Sequence, residues 1–161
     1  MNVAEGSLIN RYTNALSQLS VSEKEEWEKV VGRLKRICEK AKEKNIAVLI
    51  DAEETWIQDP VDAITMLMMD EYNKTNAVIY NTLQLYRHDR LAFLHKSHEA
   101  ATQRNFILAI KIVRGAYMEK ERERADEKGY ASPIQLLHPF NPVKKAAIKT
   151  IMLRWNFALS I

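Results

Sequence analysis

The 161-residue chain contains a single cysteine, Cys38, so it can build neither an internal disulfide nor a cysteine-cluster metal site. The position of Cys38 on an apolar helix face assigns it to packing. Glycine is almost as scarce. Gly6, Gly32, Gly115 and Gly129 are the only four, and no glycine-rich loop follows any apolar run. That disfavours a dinucleotide-binding Rossmann domain, whose phosphate turn needs closely spaced glycines. No apolar run approaches the roughly 20 residues needed to cross a bilayer. The start, MNVAEGSLIN, lacks the basic opening and apolar centre of a signal peptide. A cytoplasmic or organelle-matrix setting is expected.

Acidic residues are missing from one end of the chain. All 21 lie at or before Glu127, and residues 136–161 carry four basic residues and no acidic one. The preceding 135 residues hold 20 basic against 21 acidic groups, a net of −1. The overall charge of +3 therefore belongs to the tail and does not describe a nucleic-acid-binding face.

What is present is a repeat of short apolar runs and amphipathic helices. Trp27, Val30, Val31, Leu34, Ile37, Cys38 and Ala41 recur at helical spacing within residues 22–44, and Ser22 with Glu25 forms a capping box at the start. IAVLIDAEE follows as a strand that breaks into acid at Asp51. DPVDAITMLMMDEYN then predicts a helix with Asp59 as N-cap and Pro60 at its first position, its methionines filling core. AVIYNTLQ (77–84) and FILAIKIV (106–113) read as two further strands, with a helix across about 88–104 between them.

Strand starts near 46, 77 and 106 are about one βα unit apart. Continuous apolar strands predict a parallel sheet covered on both faces, and the expected fold is α/β, a fragment of a (β/α)8 TIM barrel. Chemistry in such a barrel gathers at the carboxyl ends of the strands. Here those ends carry Asp51, Gln84, and Lys111 with Arg114 and Tyr117.

Glu53 and Glu54 read as solvated or capping residues, but Asp51 follows VLI directly and would be a buried charge without a partner. Lys111 alternates with Ile110 and Ile112, so an inward-facing ammonium needs an anion or an electron-rich ligand, and Asp51 is a candidate. His88, His95, His98 and His138 do not form a convincing metal set, and EKERERADEK reads as a solvated helix face.

The segments IDAEETW, YNTLQLY and IKIVRGAYMEKERERADEKGYASPIQ, in this order and at these separations, resemble the FAD-dependent proline dehydrogenases of the stand-alone type. The resemblance spans about residues 20–135. It implies a distorted (β/α)8 barrel with FAD at the carboxyl ends of the strands. It also implies oxidation of L-proline to Δ1-pyrroline-5-carboxylate by hydride transfer to the flavin, with electrons passed to a quinone at a membrane surface.

Carried over by motif, Asp51 lies near the substrate amine, Gln84 hydrogen-bonds the flavin, Lys111 stands at its reactive edge and Tyr117 packs beside the proline ring. Val113, Arg114 and Gly115 fall along the cofactor. The family's basic residue on the first strand and its arginine pair in the last βα unit are not in this sequence, which matches only about strands two to four. An incomplete site, inactive alone, is the expectation.

Two alternatives stay open on the residues: a Schiff-base aldolase using Lys111, and a non-catalytic gene remnant. Resemblance ends after SPIQ, so residues 1–135 form the partial barrel and 136–161 a tail outside the family pattern. The tail is expected to be translated out of frame. Codons for IKTIMLRWNFA, read from the third base of the Ile148 codon, permit KDYNAALEFC, a string that suits the family.

Overall fold

The computed structural model describes residues 3–53, 57–113, 117–132 and 134. Arg114, Gly115 and the tail, on which three of the expectations above fall, lie outside the described residues. The order of elements is α1 (Val3–Gln18), α2 (Val21–Lys44), β1 (Val48–Ile50), α3 (Gln58–Tyr72), β2 (Ile79–Gln84), α4 (Arg90–Arg104), β3 (Ile110–Val113) and α5 (Met118–Lys128). The strands form one parallel sheet in the order β1-β2-β3. Sequential neighbours joined by helices are the winding of a barrel, whereas a doubly wound sheet reverses direction at its switch point.

Helix α2 starts at a capping box, two residues before the expected one. Ser20 Oγ accepts from the Glu23 amide at 3.3 Å, and Glu23 Oε2 accepts from the Ser20 amide at 2.8 Å. The chain reads S-x-x-E twice in overlapping frames. Helix α1, which the sequence reading did not anticipate, runs to Gln18 and leaves only a short turn before the cap. Trp27 on α2 donates from Nε1 to Tyr12 Oη at 2.9 Å, which ties α1 to α2.

Helices α2 and α4 stop in the same way. Asn45 and Asn105 adopt left-handed φ of 53° and 54°, and the next residues, Ile46 and Phe106, donate back to Ala41 O and Ala101 O at 3.0 Å. Asparagine tolerates this conformation better than other non-glycine residues, and each stop turns the chain toward a strand. Gly129 ends α5 at φ 67° with Tyr130 donating to Ala125 O.

Helix α3 begins at Gln58 with Ile57 as N-cap, so Pro60 is its third residue and Asp59 is not the cap. Proline fits there because first-turn amides lack intrahelical acceptors. Its other end, Asn73, keeps φ at −93° and spends its side chain inside the fold. Asn73 Oδ1 accepts from the Val78 and Ile79 amides at 3.0 and 2.9 Å, while Nδ2 donates to Ile79 O and Ile107 O at 2.8 and 3.1 Å. One buried carboxamide thus joins the entry to β2 with the segment leading into β3.

The core lies between the sheet and its helices. Cys38, Met66, Met69, Leu94, Ala100 and Ala101 from the helices pack with Ile79 and Leu83 from β2, and Val48, Ile50 and Ile110 lie against them. The methionines and Cys38 are core as expected. Burial pushes the Cys38 thiol up to about 11, with Glu71 and Glu39 adding to the effect, so it is not a ready nucleophile.

Alternation along the strands puts Leu49, Tyr80, Thr82, Gln84, Lys111 and Val113 on the other face. The expected cover on both faces is incomplete among the described residues: Leu49 on this second face is 48% exposed. Helix α4 starts at Arg90, so His88 stands before it and not on it.

Candidate active site

Register brings the predicted residues of three strands into two adjacent rows. Thr82 pairs with Lys111, and Ile50 pairs with Asn81, so Asp51 is level with Thr82 and Lys111. Lys111 Nζ reaches across β2 to Asp51, 2.8 Å from Oδ1 and 3.0 Å from Oδ2. Asp51 therefore has the partner the sequence asked for, but it is exposed rather than buried. Partial burial alone would raise its carboxyl, yet the hydrogen bonds and charge of Lys111 hold it below the ordinary aspartate value.

One row further along, Gln84 pairs with Val113 and is 2% exposed. Gln84 Nε2 donates to Ala52 O at 2.7 Å and to Gln58 Oε1 at 3.3 Å. Its Oε1 is buried without a hydrogen-bond partner among the described residues. Thr82 Oγ1 is in the same condition; it is near enough to Asp51 to help hold that charge but makes no hydrogen bond of normal geometry. Two unmet buried polar atoms next to an ion pair are what a ligand site leaves when the ligand completes it.

Val113, last in β3, is half-buried and its carbonyl accepts from the Leu85 amide at 2.9 Å. Tyr117 is the half-buried N-cap residue of α5, four residues after the end of β3. The structure thus unites Asp51, Lys111 and Gln84 and puts Tyr117 at the start of the next helix.

Sequence reasoning missed the layer behind these residues. Asp62 on α3 is 1% exposed; Oδ1 accepts from Gln58 Nε2 at 2.9 Å and Asn81 Nδ2 at 2.8 Å, and Oδ2 accepts from Arg90 Nη1 at 2.7 Å. Burial pushes the Asp62 carboxyl up, and these three donors work against it. Arg90 also donates to Asp89, which Arg87 clasps from its other side. The available signal was Asp62 itself, a charge inside the apolar run VDAITMLMM.

Comparison with known proteins follows the same outline. A family model described as proline dehydrogenase matches residues 3–137, so the match takes in α1 and begins well before residue 20. The chain is 36% identical over 119 residues to Proline dehydrogenase 1, mitochondrial, of Drosophila melanogaster, covering 74% of this chain and 18% of that protein. It is 37% identical over 129 residues to Hydroxyproline dehydrogenase of Xenopus laevis, covering 80% of this chain and 28% of that one.

In fold it is similar to a crystal structure of proline utilization A from Bdellovibrio bacteriovorus inactivated by N-propargylglycine. The TM-score is 0.69 at 19% identity, over 80% of this chain and 14% of that one. The chain spans less than a third of the length of these relatives. The three βα units are a fragment of a TIM-type barrel, and the chain belongs to the proline dehydrogenase family.

Proposed function

We propose that this chain supplies one sector of the active site of an FAD-dependent proline dehydrogenase, which oxidises L-proline to Δ1-pyrroline-5-carboxylate and passes the electrons to a quinone. The carrying observation is the Lys111–Asp51 pair set beside the buried, unmet Gln84 Oε1 and Thr82 Oγ1. Those two atoms suit the polar edge of a flavin, and Gln84, Lys111, Val113, Arg114 and Gly115 are the residues that would hold it. When bound, FAD supplies the two-electron acceptor for the substrate's hydride.

The chain's own residues do the rest. Asp51 keeps a carboxylate where it can hold the ring nitrogen of proline and take its proton as the C=N bond forms. Lys111 is a cation fixed by two hydrogen bonds, so it stabilises negative charge growing beside it without reorganising. Tyr117 offers a ring for the pyrrolidine to pack against. A Schiff-base lysine would also stand beside an aspartate, and borohydride trapping with a carbonyl substrate separates that reading from a flavoenzyme.

A complete barrel carrying this sector should bleach FAD absorbance on addition of L-proline, and Lys111→Ala or Tyr117→Phe should change that response, Tyr117→Phe mostly in the choice between proline and hydroxyproline. The 161-residue chain alone should not bleach FAD, because positioning is shared with segments outside it. Proline-dependent bleaching by the isolated chain would refute the shared-site part of the proposal. A complete barrel indifferent to Lys111→Ala and Asp51→Asn would refute the residue assignment.

A further inference from the structure

The Gln84 carboxamide is held in one sense by two acceptors. Its Nε2 faces Ala52 O and Gln58 Oε1, and a backbone carbonyl has no proton to offer, so the nitrogen belongs on that side. Gln58 is oriented in turn. Its Nε2 donates to Asp62 Oδ1, which turns its Oε1 toward Gln84. Asp62 Oδ2 faces the Arg90 guanidinium, which can only donate, and Oδ1 also faces Asn81 Nδ2.

Gln58, Asp62, Asn81 and Arg90 are all buried, so water does not compete for these bonds. Direction is therefore passed from a carboxylate in the helix layer, through Gln58 at the first turn of α3, to the residue that ends β2. The outcome is the buried Gln84 Oε1 with no donor among the described residues.

We propose that Gln58 is a positioning residue: backed by Asp62 and Arg90, it joins Ala52 O in fixing the polarity of the Gln84 carboxamide so that the site offers its ligand an acceptor. A ligand edge bearing an N–H is thereby selected over one bearing only carbonyl oxygens. Naming that ligand rests on the flavin reading above, under which the matching group is the imide N–H of the isoalloxazine ring.

The test uses the 161-residue chain with 15N-labelled glutamine side chains. In the wild type, the Gln84 Nε2 protons should exchange with water at least about tenfold more slowly than those of a free glutamine. Gln58→Met keeps length and apolar volume but removes both polar ends. It should speed Gln84 side-chain exchange while the backbone amides of Asn81 and Leu85, bonded to Ala109 O and Val113 O, keep their protection.

Freely exchanging Gln84 protons in the wild type would overturn the proposal even if the methionine variant failed to fold. An unchanged rate in a folded variant would overturn it too. A second arm measures FAD and N3-methyl-FAD binding to a complete barrel carrying this sector, by fluorescence anisotropy. The wild type should favour FAD by about tenfold, the worth of one hydrogen bond, and Gln58→Met should narrow the gap. Equal affinity of the wild type for the two flavins would count against it. Failure to bind either flavin, with Gln84 protected, would sink the flavin reading and leave the amide polarity standing.

Discussion

Lys111 Nζ lies within 3.0 Å of both Asp51 oxygens although their strands are not hydrogen-bonded to each other; β2 lies between them. Both side chains remain over a third exposed. Exposed pairs contribute about 0–1 kcal/mol to stability. Asp51→Asn and Lys111→Met should therefore shift urea unfolding of this chain by no more than about 1 kcal/mol, while abolishing proline-dependent flavin reduction in a complete barrel. A large loss of stability would recast the pair as a structural strut.

Arg90 and Asp62 should behave in the opposite way. Both are almost fully buried, and removing one partner strands the other charge, typically at a cost of about 3–5 kcal/mol. Arg90→Met should cost that much in urea unfolding, and Asp62→Leu in the same chain should recover a good part of it. Additive losses in the double variant would show that the two charges are not coupled.

Asn73 satisfies four backbone groups with one side chain. Asn73→Ala leaves them buried and unpaired at about 1–3 kcal/mol for each that water cannot reach. The expected result is a loss of more than about 2 kcal/mol, with hydrogen exchange accelerated first at the Val78 and Ile79 amides. Unchanged exchange there would mean that other groups replace the carboxamide.

Acid should weaken the fold through Asp51, Asp70 and Asp89, whose carboxyls all sit below the ordinary value of 3.8. For Asp89, burial pushes upward, but hydrogen bonds and charge from Arg87 and Arg90 outweigh it. A depressed folded-state value adds stability that is fully present above the ordinary value and is lost as pH falls through the depressed one. The contribution of Asp89 should be constant near neutrality and decline below about pH 4. Asp89→Asn should flatten the pH dependence of the urea midpoint in that acid range, and an unchanged slope would remove Asp89 from the account.

The repeat of strands and helices was legible because burial imposes a local pattern, and apolar runs at one-unit spacing leave little else to build. Asp51, Gln84 and Lys111 were legible for a related reason: each interrupts or ends such a run. Helix starts were less so. Asp59-Pro60 reads as a cap, but the helix begins at Gln58, and the i to i+4 spacing of a helix is what lets Gln58 reach Asp62. The layer formed by Asp62, Asn81 and Arg90 was invisible because its members are 19 and 28 residues apart and meet only once the units have packed. Helix α1 was missed although Leu8, Tyr12, Ala15 and Leu16 recur in it at helical spacing.

The reach of Lys111 over β2 also acts as a gauge of shape. Flanking strands of a three-stranded sheet are about 9–10 Å apart at the backbone, a gap that a lysine facing an aspartate can close and two short side chains cannot. A salt link on one face alone favours a sheet that is concave toward that face. Curvature of that sense would turn the face bearing Thr82 and Gln84 toward the axis of a complete barrel. The length of the lysine side chain is thus what lets the two outer strands meet over β2.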